Sequence, residues 1–202
     1  MIRARRKARL PMRLLTKPLT ETLPWRAFHY MLSYVQFALY GVEHGSRLRA
    51  ERVNILNVGR IRLGNRVTLT CQPQGNVYRS SLRTYYPDAV IDIGDGCAIQ
   101  GSIIHCNCAV TIGENTRLAP GVILCDNDSH APVLSNEARN ERPPEGPIKL
   151  GKNVWLGMRT IVLKGVTIGD NTIVAAGSVV TRNLPANVLA GGIPAVPKRE
   201  LR

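Results

Sequence analysis

Acidic residues are scarce in this chain of 202 residues, with 14 against 27 basic ones and a formal net charge of +13. Residues 1–17 hold none at all, while Arg3, Arg5, Arg6, Lys7, Arg9, Arg13 and Lys17 make that arm strongly positive. No nucleic-acid recognition motif accompanies the arm, so nucleic acid is not an expected partner. Long apolar runs are lacking too. The most apolar stretch is interrupted by Arg26, His29 and Gln36 and is barely long enough to cross a bilayer, which argues against a span. It also lies far from the first residue, with no small-residue cleavage pattern after it, which argues against a secretory signal. Cysteines number five, at positions 71, 97, 106, 108 and 125, an odd count that fits small buried hydrophobes in a reducing compartment better than a disulfide framework. Cys106 and Cys125, about one coil apart in the repeat read below, are expected to stack. Cys106-Asn107-Cys108 beside His105 lacks structural zinc spacing, so no metal is expected.

What the chain does have is a beat. Leu150, Leu156, Val162, Ile168, Val174 and Val180 recur every six residues, with glycine directly after the residues at 150, 156 and 168. A helix would scatter that period around its surface, whereas short strands joined by tight corners point one side chain inward per unit. The beat therefore predicts a solenoid of short parallel strands. Gly, Asn or Asp stands where each strand must turn, as expected if corners need φ values those residues adopt cheaply. Earlier units read IGDGCA at 93–98 and IGENTR, LAPGVI and LCDNDS at 112–129, with one slip near 99–111.

Before the repeats, Arg26, His29, Ser33, Gln36, Tyr40 and Glu43 share one face of a helix running from near Pro24 to Gly41 or Gly45. The other face carries Trp25, Phe28, Leu32, Val35 and Leu39. Two readings stay open: the helix caps the solenoid or a subunit contact, or the basic arm and apolar face lie on an anionic membrane. The domain organisation is 1–52 as basic arm and amphipathic helix, then 53–202 as the solenoid, with a tail at 184–202.

The beat stops over 126–147. That stretch opens Asp126-Asn127-Asp128-Ser129-His130-Ala131-Pro132 and continues through Arg139, Glu141 and Arg142. A solenoid gains no stability from extruding a loop, so a loop here points to function. His130 is its only histidine. Imidazole takes a hydroxyl proton near neutral pH, and a carboxylate beside it fixes the tautomer. On the residues alone, an ordinary surface histidine is the competing reading.

The [Ile/Leu/Val]-Gly-x-x-x-x hexads resemble the hexapeptide-repeat acyltransferases, and the loop is similar to that of their sugar and polysaccharide O-acetyltransferases. The resemblance implies an all-β, left-handed parallel β-helix of triangular section with an N-terminal basic helical appendage. It implies His130 as general base and Asp128 as its partner, with Asn107, Trp155, Tyr85 and Arg83 toward the acceptor. Where one branch of the family has paired acidic residues, this chain has Cys106-Asn107. The stretch from Gly151 to Ala195 is similar to the family's acetyl-CoA-binding half, which assigns Gly157, Met158, Ala176, Thr181, Arg182, Lys198 and Arg199 to acetyl-CoA, with an amide near Gly157 and Met158 for the oxyanion.

Family members are trimers with each site between two subunits, so a homotrimer is implied, with Trp155 walling the cleft beside His130. The function this implies is acetyl-CoA-dependent O-acetylation of a surface polysaccharide or its precursor, in the cytoplasm and at the inner face of the membrane. The interruption at 72–79, with Arg83, Tyr85 and Tyr86 behind it, adds basic and aromatic groups suited to a glycan. Alternatives are a soluble acetyltransferase of a small sugar, antibiotic or amine, and a non-catalytic β-helical scaffold.

Overall fold

A computed structural model describes residues 23–51, 53–71, 79–135 and 138–202. The basic arm and the segment 72–78 lie outside the described residues. Each repeat unit forms a strand of two to four residues and then turns, so three strands complete a coil and the coils stack as three parallel faces. The first face runs from Glu43–His44 through Arg60–Leu63, Val90–Ile93, Ala109–Ile112 and Ile148–Leu150 to Thr167–Ile168. The second includes Arg49–Ala50, Thr68–Thr70, Ala98–Gln100, Arg117–Leu118, Trp155–Leu156 and Ile173–Val174. The third includes Asn54–Asn57, Ser81–Thr84, Ile103–Cys106, Ile123–Cys125, Ile161–Leu163 and Val179–Val180.

The six-residue beat is the inward ladder of these faces. On the third face Ile55, Leu82, Ile104, Leu124, Val162 and Val180 stand in register, and all are buried. On the second, Leu69, Ile99, Leu118, Leu156, Val174 and Ala190 do the same. Burying each large aliphatic contributes about 1.5–3 kcal/mol, so the core grows by three such residues per coil.

The glycine directly after the aliphatic serves for a different reason than φ. Gly157 has no positive φ, but a Cβ there would sit 2.5 Å from the backbone nitrogen of Ala176 in the next coil. The left-handed conformation falls on the fourth residue of a unit, on Gly165 and Gly177 with φ of 75° and 71°, and on the asparagines Asn153, Asn171 and Asn187 with φ of 54°, 58° and 60°. The asparagine amides stack, Asn153 Nδ2 donating to Asn171 Oδ1 at 3.1 Å and Asn171 Nδ2 to Asn187 Oδ1 at 2.8 Å. Cys125 also departs from expectation. It pairs in register with His105 and not with Cys106, because the coil joining them is longer than the repeat beat.

Both ends of the prism are covered. Strand Val188–Gly192 adds to Ile173–Val174, and Ala195–Glu200 returns antiparallel along it, so the expected tail is a hairpin. At the other end lies the helix Leu23–Leu39, stopped at Gly41, where φ is 63°. The first coil starts at Glu43, upstream of the boundary expected at 53. The helix buries Ser33 and Phe37 and donates from the Tyr34 hydroxyl to the Leu48 carbonyl at 2.9 Å, while the Tyr34 ring meets His44 edge-on. The wider apolar stripe of Phe28, Leu32, Val35 and Leu39 faces outward, the reverse of a simple amphipathic cap. The coil end offers a carbonyl and an imidazole, which the stripe bearing Tyr34 satisfies and the purely apolar stripe does not.

Candidate functional site

The loop 126–147 leaves the prism at the corner where the third face passes to the first. Its neck is closed by a bridge between Asn127 and Glu145, by Gly146 N–H donating to the Asp126 carbonyl at 2.8 Å, and by Asp128 N–H donating to the Pro144 carbonyl at 3.1 Å. The fully buried Asp126 carboxylate accepts the N–H groups of Asn107 at 2.7 Å and of Cys108 and Ala109 at 2.9 Å, as well as Asn127 Nδ2 at 3.0 Å. A buried carboxylate is tolerable only with such a set of donors, and this one ties the loop to the corner of the coil below.

Arg142 fastens the returning strand of the loop. It donates to both Asp88 oxygens at 3.2 and 3.1 Å, to both Glu145 oxygens at 2.8 and 2.9 Å and to the Asn107 carbonyl at 3.0 Å, and it stacks 4.2 Å over the Tyr86 ring. The Arg142 guanidinium holds the Asp88 carboxyl below its ordinary range. From this neck, Ser129 turns through a φ of 62°, with its N–H capped by Asn127 Oδ1 at 2.8 Å, and His130 N–H donates to the Asp128 carbonyl at 2.7 Å. The His130 side chain is exposed and its ring has no hydrogen-bond partner among the described residues.

Asp128, expected beside that ring, gives its carboxylate instead to the Lys164 ammonium. Lys164 follows directly on the third-face strand that pairs with Ile123–Cys125, so the ion pair lashes the loop to the coil above. The sequence reading missed Lys164 because V-L-K-G reads as a plain repeat unit. A charge one position past an inward aliphatic and stacked beside the interruption was the available signal.

The opposite edge of the third face is the corner with the second face. Gly157 and Met158 stack there beneath Ala175, Ala176 and Gly177, with Gly177 N–H donating to the Met158 carbonyl at 2.8 Å. Gly157 N–H is taken by the Val174 carbonyl at 2.8 Å, which leaves the N–H groups of Met158 and Ala176 without partners among the described residues. The C-terminal hairpin closes on this corner through Gly192 N–H to Ser178 Oγ at 3.2 Å, bringing Lys198 and Arg199 to the same end of the prism. Thr181 and Arg182 are exposed at the far corner, beyond Val180.

Between the two corners the third face turns outward a column of Arg83, His105, Cys125 and Leu163 in register. A three-residue strand spans about 10 Å, so the two corners of the face stand about one strand length apart. Tyr85 packs edge-on to His105 with centroids 5.6 Å apart. Burial, and then the Arg83 charge, push the His105 imidazole below its ordinary range, so it stays neutral near pH 7.

The structure thus gathers Arg83, Tyr85 and His105 on the face below the loop. Asn107 is buried at the loop base, with its backbone engaged by Asp126 and Arg142. Trp155, expected beside His130, stands exposed on the second face, away from the loop corner. The reason is register: Trp155 pairs with Arg117 and Ile173, one face earlier than the strands that adjoin the loop.

The thiols of Cys97, Cys106, Cys108 and Cys125 are unsuited to attack. Burial pushes Cys97 up to about 11 and Cys108 up to about 12, and raises Cys106 and Cys125 as well. Cys106 points into the core with its thiol toward the Val90 carbonyl at 3.4 Å, so it diverges from Cys108, and among the described residues no three His, Cys, Asp or Glu side chains converge.

A family model described as bacterial transferase hexapeptide (six repeats) matches residues 147–182. The chain is 42% identical over 92 residues to a galactoside O-acetyltransferase of Escherichia coli, covering 46% of this chain and 44% of that one. It is 34% identical over 125 residues to a putative colanic acid biosynthesis acetyltransferase of the same organism, covering 61% of this chain and 65% of the relative. In both cases the match spans less than two thirds of the relative's length. Among solved structures, an N-acyltransferase of Bacillus cereus in complex with a dTDP-amino sugar and coenzyme A superposes with a TM-score of 0.64 at 18% identity, covering 84% of this chain and 89% of that one. That likeness is one of fold, the left-handed parallel β-helix.

Proposed function

We propose that this chain is a hexapeptide-repeat acyltransferase that transfers an acetyl group from acetyl-CoA to a sugar hydroxyl. The observation that carries the reading is the third face, bounded on one side by a corner of small residues with two open N–H groups and on the other by a loop that holds out His130. The named relatives that share the repeats are acetyltransferases, one for galactosides and one putatively for colanic acid, which favours a glycan acceptor.

In this reading the pantetheine arm lies along Gly157, Met158 and Ala176, where no Cβ larger than alanine's obstructs it, apart from the exposed Met158 side chain. The amide of Met158 donates to the thioester oxygen, Lys198 and Arg199 of the C-terminal hairpin meet the CoA phosphates, and Thr181 and Arg182 approach CoA from the far corner. His130 removes the proton of the acceptor hydroxyl as that oxygen attacks the thioester carbonyl. The tetrahedral oxyanion is held by the amide, the C–S bond breaks, and the CoA thiolate takes the proton back from the imidazolium. The raised thiols support direct transfer without an acetyl-cysteine intermediate.

Because the imidazole is exposed in one chain, a neighbouring subunit closes the cleft in a homotrimer, and Trp155 of the second face reaches His130 only across that interface. Arg83 and Tyr85 frame the acceptor, and Asn107 supports the loop from below. Asp128 fixes the loop through Lys164 and hydrogen-bonds the imidazole once substrate displaces that pair. The enzyme works on a polysaccharide precursor on the cytoplasmic side of the membrane.

The test mixes the protein with acetyl-CoA and a panel of galactosides and oligosaccharides and follows thiol release. His130→Ala loses about 10²–10⁴-fold in rate while CoA still binds. A parent protein that neither binds CoA nor releases thiol with any acceptor overturns the reading in favour of a scaffold.

A further inference from the structure

The N-terminal helix spends one stripe on the prism and leaves another open. Ser33 and Phe37 are 3% and 0% exposed, whereas Phe28, Met31, Leu32, Val35 and Leu39, spaced as one stripe, are 44% to 80% exposed. Burial has therefore selected the stripe that carries a serine and a tyrosine hydroxyl and left the wider, wholly apolar one in solvent. Patches of this kind mark interaction sites.

Charge identifies the occupant. The helix contains no acidic residue, and the sequence leading into it over 1–22 holds seven basic residues against one acidic residue, Glu21. On the coil against which the helix packs, Arg47 and Arg49 are exposed, while Glu43 is paired with Arg60. We infer that the open stripe lies in the interfacial plane of an anionic lipid bilayer, with the apolar side chains among the upper acyl chains and the chain's net positive charge drawn to the headgroups. The helix is not long and apolar enough to cross. A second copy is the less favoured occupant, because pairing this face with itself sets two strongly positive chains side by side. The surface is independent of the reaction proposed above.

The experiment floats the full chain with vesicles of phosphatidylcholine alone and of phosphatidylcholine with phosphatidylglycerol. The chain is expected to float only with the anionic vesicles and to be released by raised salt. The double variant Leu32→Asp, Val35→Asp, both at exposed positions, is expected to bind at least about tenfold more weakly with an unchanged thermal unfolding curve. Failure of the parent to float, equal flotation of parent and double variant, or a larger assembly of the parent than of the variant in light scattering each overturns the inference, the last in favour of a second copy. Should the double variant unfold early, Val35→Ser replaces it, read by the same flotation.

Discussion

At the corner between the second and third faces, in the coils of Gly157 and Ala176, the only exposed side chains larger than alanine among the described residues are Met158 and Arg159. Gly157, Ala175, Ala176 and Gly177 stack so closely that the next coil occupies the place of the missing side chain. At the corner between the third and first faces the chain does the opposite, throwing out a polar loop and holding it with a buried carboxylate, a five-bonded arginine and a lysine. One corner is defined by steric exclusion and the other by hydrogen bonds. A slot made by exclusion fails when an atom is added, whereas a loop made of many bonds fails in proportion to how deeply the lost bond is buried.

Three measurements break or sharpen that contrast. The largest effect is expected from Asp126→Ala, which leaves the three amides of 107–109 unanswered inside the protein. With about 1–3 kcal/mol per orphaned donor, a loss of roughly 3 kcal/mol or more follows, read as a fall in Tm of about 10 °C together with loss of turnover. An unchanged Tm would mean that water answers those amides and the neck is less closed than described. Next comes Gly157→Val. Its Cβ collides with the Ala176 backbone, so the coils must part at a cost of about 1–3 kcal/mol, and CoA affinity falls with it, measurable by calorimetry. Normal CoA binding in a stable Gly157→Val protein would remove the small-residue corner from the site.

The smallest effect belongs to Arg142→Gln. Its carboxylate partners are exposed at Asp88 and half-buried at Glu145, so global stability moves little, by about 0–1 kcal/mol, but the loop becomes open to limited proteolysis. The pH dependence follows from Asp88. Arg142 lowers its folded pKa, so the contribution of the pair is present above the ordinary carboxylate pKa and is lost as pH falls through the lowered folded value. Hydrogen exchange in the loop should therefore accelerate at acid pH in the parent, and should already be fast, without that acid step, in Arg142→Gln. Identical pH profiles would show that Arg142 does not hold the loop.

The repeat was readable because the physics of one inward aliphatic per strand writes a period directly into the residues: Leu150, Leu156 and Val162 each begin a unit and each lie on a different face. The loop was readable as the silence between Leu124 and Ile148. Its internal pairing was not, because Lys164 acts at long range and looks locally like any solvent-facing residue of a hexad. The helix was legible in extent but not in orientation. Its apolar stripe is plain in the sequence, yet what it packs against is decided by the Leu48 carbonyl and the His44 ring, which no local pattern announces. Trp155 was placed beside His130 by resemblance to an assembly, and a single chain sets the two on different sides of the prism.

The third face has a consequence for how such a molecule diversifies. Under the proposed reaction, strand length within a coil, about 10 Å for three residues, sets the gauge between donor slot and loop. Adding or deleting whole coils beneath Arg83 lengthens or shortens the prism while leaving the gauge untouched, so the floor that meets the acceptor is free to be rebuilt without retuning the reach of the thioester.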